Sequence, residues 1–161
     1  MSEDLHALAQ ALGAALARRG WKVATAESCT GGLVAGAITG IAGSSGWFER
    51  GFVTYSNEAK VELLDVAAAT LARFGAVSEE TAREMAAGAI AGSRAKLAVA
   101  VTGIAGPDGG TPDKPVGTVC FAWARRAGAV ETTTRRFPGD RAEVRAATVA
   151  AALQGLLDRS N

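Results

Sequence analysis

Two side chains in this sequence combine a reactive type with a position that can use it: Ser28 and Lys60. Ser28 falls in Glu27-Ser28-Cys29-Thr30-Gly31-Gly32, between a predicted strand and a predicted helix. Such a turn can hold a hydroxyl clear of the sheet while backbone N–H groups near Gly31 and Gly32 face a developing oxyanion. The competing use of Ser28 or Thr30 is to cap the helix that follows. Lys60 is one of only four lysines and lies in the first turn of a helix that Ser56 or Asn57 can cap. A cation there meets the positive end of the helix dipole, which lowers its pKa. A lysine so placed can act as general base toward a serine or hold an anionic ligand; the plainer alternative is a solvated surface lysine. The only histidine, His6, lies in the polar start of the chain, so neither a Ser-His-Asp triad nor a His-based zinc site is expected. Cys29 is expected to be a core residue.

Three further features invite a ligand. Thr102-Gly103-Ile104-Ala105-Gly106-Pro107 follows an apolar stretch, and its bare backbone at Gly103 and Gly106 can approach a phosphate or a planar ring, with the Thr102 hydroxyl at the strand end. Arg141 places a second cation at a helix start behind Asp140, and two cations in electropositive positions suggest an anionic ligand between them. Tyr55 and Lys60 resemble the Tyr-x-x-x-Lys pair of short-chain dehydrogenases, but four residues intervene here. Neither G-x-G-x-x-G nor G-x-x-x-x-G-K-[ST] occurs, which argues against a nicotinamide redox enzyme and a P-loop NTPase.

The elements that must position these residues are legible from periodicity. Leu5, Leu8, Ala9, Leu12, Ala15 and Leu16 repeat at helical spacing before Arg18-Arg19-Gly20. Strands are predicted over 21–25, 51–55, 96–101, 116–124 and 130–137, the last two as a hairpin. Further helices are predicted over 33–38, 58–64, 67–74, 79–93 and 141–157, the last with Val144, Ala147, Thr148, Ala151 and Leu156 inward. The order αβαβαααβββα predicts one α/β domain over residues 1–161, a three-layer α/β/α sandwich with a mixed, mostly parallel sheet and a C-terminal hairpin plus helix. The string Thr-Gly-Ile-Ala-Gly occurs at 39–43 and 102–106, but unmatched flanks argue against a duplication.

Length and charge narrow the class. At 161 residues with 48% hydrophobic and 20% charged residues, the chain can bury one core without disulfides or a structural metal. Two cysteines without C-x-x-C spacing suit a reduced, cytoplasmic protein. A net charge of +1 with arginines spread along the chain gives no nucleic-acid footprint, and no signal peptide or bilayer-spanning run is read.

Taken together, the strings Thr25-Ala26-Glu27-Ser28-Cys29-Thr30-Gly31-Gly32, Gly51-Phe52-Val53-Thr54-Tyr55-Ser56-Asn57-Glu58-Ala59-Lys60, Gly75-Ala76-Val77-Ser78, Thr102 to Gly110, Lys114 to Val119 and Phe137-Pro138-Gly139-Asp140-Arg141 resemble the C-terminal domain family of the competence/damage-inducible protein CinA. Stand-alone members of that family are nicotinamide-nucleotide amidases. The resemblance implies hydrolysis of nicotinamide mononucleotide to nicotinate mononucleotide and ammonia, in pyridine nucleotide salvage, without metal or other cofactor. It implies Ser28 as nucleophile, Lys60 as its base and Tyr55 as proton relay or orienting group. Thr30, Gly31, Gly32, Asn57, Thr102, Gly103, Gly106 and Arg141 are the implied substrate-binding residues. It also implies a homo-oligomer, for which the hairpin at 116–137, with Trp123 and an Arg-rich turn, is the candidate edge. The alternative is a nucleotide-binding or regulatory module of the same fold without turnover.

Overall fold

The computed structural model describes residues 2–161. Its elements are α1 (Glu3–Arg19), β1 (Val23–Glu27), α2 (Leu33–Thr39), β2 (Phe48–Val53), α3 (Asn57–Leu64), α4 (Ala68–Phe74), α5 (Glu79–Ala91), β3 (Leu97–Gly103), β4 (Thr118–Arg125), β5 (Val130–Arg136) and α6 (Arg141–Asp158). This is the order read from the sequence, with one 3-10 turn at Ser44–Gly46 added. Local chemistry explains the helix ends. The Ser2 hydroxyl accepts from the Leu5 N–H to start α1, and Gly20, at φ +67°, closes it. Ser78 caps α5, and Asp140 with Glu143 forms a reciprocal capping box on α6. The second strand spans Phe48–Val53, earlier than the 51–55 expected, so Thr54 and Tyr55 lie beyond the strand.

The five strands form one mixed sheet in the order β2-β1-β3-β4-β5. β1 runs parallel to β2 and β3, whereas β4 is antiparallel to both β3 and β5, so β4 alone opposes the other four strands. Alternation along β3 and β4 separates two faces. Leu97, Val99, Val101, Val119, Phe121 and Trp123 pack with α1, α2 and α6. Ala98, Ala100, Cys120, Ala122 and Ala124 pack with α5 and Leu64 of α3. The result is the α/β/α layering expected. The small residues on the second face let α5 lie close to its neighbours. At Gly88 a Cβ would stand 2.0 Å from the Leu64 carbonyl oxygen, so only glycine fits where α5 meets the end of α3.

Two expectations about packing are corrected. The buried face of α6 is Val144, Thr148, Val149, Ala152, Leu153 and Leu156; Ala147 and Ala151 are only half-buried at its margins. Trp123 does not mark an exposed edge. It is 7% exposed, stacks on Phe121 and donates its indole N–H to the Ala152 carbonyl, because odd positions of β4 face α1, α2 and α6. The exposed edge of the hairpin is β5 itself, which is polar and pairs only with β4.

Candidate active site

Because β1 and β3 are parallel neighbours, their carboxyl ends open side by side. The segments leaving β1, β2 and β3 wall a cavity of about 270 Å³. Ser28, Tyr55, Asn57, Lys60, Thr102, Gly103, Gly106 and Arg141 line it, together with Cys29, Asp108 and Gly109. Thr30, Gly31 and Gly32, expected on the same wall, do not line it.

Ser28 is fixed from both sides. Its N–H donates to the Val101 carbonyl at 3.0 Å, extending the β1–β3 ladder by one residue, and its carbonyl accepts from the Gly31 N–H at 3.1 Å. Gly31 and Gly32 take φ values of +58° and +109°, which turn the chain from β1 into α2. The glycines therefore build the turn, and the Gly31 N–H is committed to Ser28 and does not face a ligand.

Lys60 is 1% exposed, so the surface-lysine reading fails. Its side chain runs back past the start of α3. Nζ donates to Ser28 Oγ at 3.0 Å, to the Thr54 carbonyl at 2.9 Å and to the Tyr55 carbonyl at 3.2 Å. Neither ion pair among the described residues involves Lys60. Burial pushes its pKa below the usual lysine range, and the neighbouring Cys29 works weakly against that shift. Desolvation is thus the main cause. A neutral amine has two N–H groups and one lone pair; the two carbonyls can take the N–H groups and leave the lone pair for the Ser28 hydroxyl proton.

Cys29 is buried, and desolvation pushes its thiol up to about 11, so it stays protonated at neutral pH and is a poor nucleophile. The Thr30 hydroxyl is fully buried and donates to Glu27. Tyr55 is 61% exposed; its phenol oxygen accepts from Arg141 Nη2 at 3.2 Å, while its backbone carbonyl, not its ring, meets Lys60. Arg141 also donates to the Gly106 carbonyl at 2.7 Å, joining the start of α6 to the loop after β3. The Thr102 hydroxyl donates to the Ala76 carbonyl at 2.8 Å and ties β3 to the segment before α5. Gly103 is required by close approach, since a Cβ there would lie 2.7 Å from Val119 Cγ2.

Two residues went unread in the sequence. Glu27, 1% exposed at the end of β1, accepts from the N–H groups of Val34 at 2.8 Å and Ala35 at 3.0 Å, so its carboxylate caps α2 from the strand. The signal was present: a glutamate ending an otherwise uncharged strand before a helix start. Arg145, one turn after Arg141 on α6, donates to the carbonyls of Cys29 and Thr30 at 3.2 and 3.3 Å. It holds the Ser28 turn from behind. Arg141 and Arg145 also line an adjoining cavity of about 690 Å³, with Ala105, Pro107 and Val116.

Among the described residues, no group of three or more His, Cys, Asp or Glu side chains could hold a metal ion. Nor is any helix long and apolar enough to cross a membrane.

The model of the CinA C-terminal domain matches residues 5–160. A nicotinamide-nucleotide amidohydrolase PncC of Enterobacter agglomerans is 56% identical over 158 residues, covering 98% of this chain and 96% of that protein. The protein of the same name from Escherichia coli K12 is 57% identical over 153 residues, covering 95% and 93%. Among solved structures, the competence/damage-inducible protein CihA from Agrobacterium tumefaciens superposes with a TM-score of 0.98 at 50% identity, covering 100% of this chain and 98% of that one.

Proposed function

The chain belongs to the CinA C-terminal domain family, and from that membership we propose that it hydrolyses the carboxamide of nicotinamide mononucleotide through Ser28 and Lys60. At 56–57% identity over nearly the whole length of enzymes named nicotinamide-nucleotide amidohydrolase, the chain is an amidohydrolase of nicotinamide nucleotides. The observation that carries the Ser-Lys reading is the 3.0 Å contact between a buried lysine nitrogen and a serine hydroxyl on the cavity wall.

The reaction then runs in two halves. Neutral Lys60 takes the Ser28 proton as Oγ attacks the carboxamide carbon, and the new ammonium is held by the Thr54 and Tyr55 carbonyls. The N–H of Cys29, which follows the nucleophile on the cavity wall, receives the oxyanion. Lys60 returns the proton to the amide nitrogen, the C–N bond breaks, and ammonia leaves an ester on Ser28. Water loses a proton to Lys60 as it adds to the ester; on collapse Lys60 returns that proton to Ser28 Oγ, and the nicotinic acid product gives up its own proton to solvent or to the released ammonia. No metal or redox group is needed for any step. The 270 Å³ cavity suits the pyridine ring. The 690 Å³ cavity, sharing Ala105 and Arg141 with it, suits the ribose phosphate, which Arg141 and Arg145 can neutralise.

The test is ammonia release from nicotinamide mononucleotide by wild type, Ser28→Ala and Lys60→Met. Loss of about 10³-fold or more in kcat in both variants supports the scheme. Wild-type-like turnover in Ser28→Ala refutes the acyl-enzyme, and an inactive wild type that binds the nucleotide supports a non-catalytic binding module instead.

A further inference from the structure

The opposite pole of the sheet gathers cations that this reaction does not use. Lys22 and Lys96 immediately precede β1 and β3, and Arg125 and Arg126 stand at the end of β4. The Lys96 N–H donates to the Lys22 carbonyl and the Arg126 N–H to the Lys96 carbonyl, each at 2.8 Å, so these residues form a row across the ends of the strands. Beneath that row, Lys96, Arg125, Arg126 and Arg159 wall a cavity of about 580 Å³ around the hairpin turn, and Glu131 is the one acidic side chain on the wall.

The cations are unequally engaged. Arg159 pairs with Glu131 at 3.3 Å. Arg126 donates through Nε and Nη2 to the carbonyls of Ala95, Ile90 and Ser93, which fixes it but leaves its charge without a counterion. Arg125 and Lys96 make no side-chain hydrogen bond; with Arg19 they lie over the Trp21 ring, at 4.7, 5.7 and 4.3 Å from its centre. An aromatic face stabilises an exposed cation by only about 0.5–1 kcal/mol and cancels no charge. Three positive charges without an ion-pair partner among the described residues therefore share one concave wall, an arrangement that draws an anion in.

We propose that this cavity binds a small polyphosphate anion, either free or as the phosphate chain of a nucleotide. Arg125 offers a guanidinium fork, Lys96 a mobile ammonium, and Arg126 its remaining Nη1 donor. Because Trp21 is already covered by cations and Trp123 is buried, recognition falls on the phosphates and not on a stacked base. A chain of phosphates carries more negative charge than a single phosphate and can spread it along the wall of a cavity of about 580 Å³.

Titration calorimetry with inorganic tripolyphosphate at about 50 mM salt, where screening is weak, tests the site. The wild type is expected to bind one tripolyphosphate more tightly than orthophosphate. The Lys96→Gln/Arg125→Gln pair is expected to bind it about tenfold or more weakly, with unfolding temperature unchanged, and Arg125→Gln alone to show part of that loss. Arg73→Gln/Arg135→Gln removes the same charge away from the cavity and should bind as wild type. ATP matching tripolyphosphate identifies the phosphate chain as sufficient, and tighter ATP binding identifies a nucleotide as the source; either supports the site. No preference over orthophosphate, equal weakening in the control pair, or binding confined to nucleic-acid oligomers overturns it.

Discussion

Replacing Glu27 with glutamine alters one atom of a buried carboxylate, and the structure specifies what that atom does. Oε1 accepts from the Thr30 hydroxyl and the Val34 N–H, and Oε2 accepts from the Ala35 N–H. Glutamine keeps one acceptor oxygen and turns an NH₂ group toward a second donor. The Ala35 N–H then loses a charge-assisted bond, worth about 1.5–3 kcal/mol, and faces another donor in a part-buried site. The two remaining bonds become neutral and each loses roughly half its strength. The sum is about 3–6 kcal/mol, which at about 2–4 °C per kcal/mol for a chain of this size lowers the unfolding temperature by roughly 6 °C or more. Ser28 adjoins Glu27 in the same turn, so kcat should fall about tenfold or more from misplacement of the nucleophile, with KM little changed. Thermal unfolding by circular dichroism and steady-state ammonia release measure both. An unfolding temperature within about 2 °C of wild type would refute the capping role, and an unchanged kcat would refute the link between that cap and the nucleophile.

Further outcomes follow from the same geometry. The depressed pKa of Lys60 means that kcat/KM rises with pH as the base loses its proton and levels off above that pKa; Lys60→Arg, which cannot deprotonate, should be inactive across the range. A rate flat through the acid side of neutrality, with chemistry limiting, would remove Lys60 as base. For stability, the folded state binds the Lys60 proton more weakly than the unfolded chain. Its contribution is therefore most unfavourable below the folded pKa and fades as pH climbs to the ordinary lysine value, a slope that pH-dependent denaturation should lose in Lys60→Met. Cys29→Ala should retain most of its activity, and the native thiol should react slowly with alkylating reagents at neutral pH; rapid inactivation by such a reagent at Cys29 would contradict its burial. Gly88→Ala should cost about 3 kcal/mol or more in denaturant unfolding, because its Cβ collides with the Leu64 carbonyl; a silent substitution would show that α3 and α5 can separate freely.

Much of this organisation was readable because it is local. The capping residues Ser56, Ser78 and Asp140, the glycines at the Ser28 turn and the apolar runs of β1 and β3 act within a few residues of themselves. What escaped depends on elements far apart in the chain. Glu27 is the exception, a strand-ending glutamate whose helix N–H partners lie only seven and eight residues on; Arg145 was opaque because its partners lie more than a hundred residues away. The depression of Lys60 was foreseen in direction from the helix start, but its largest cause, burial, is invisible in sequence. The cationic row was missed for a related reason: Lys22, Lys96 and Arg126 are scattered in sequence, and only the strand register brings them side by side.

The nitrogen of Lys60 rests on carbonyls of the two residues that follow β2, an edge strand zipped to the sheet along one side only. An edge can fray while the centre of a sheet stays shut, so opening of this segment has a free energy of its own, smaller than that of global unfolding. Each such excursion carries the base away from Ser28, which remains anchored to Val101 at the middle of the sheet. Catalytic competence is therefore set by the stability of this edge and not by that of the whole fold. Under rising denaturant, turnover should disappear before ellipticity does, with hydrogen exchange at Phe52 to Tyr55 tracking the loss.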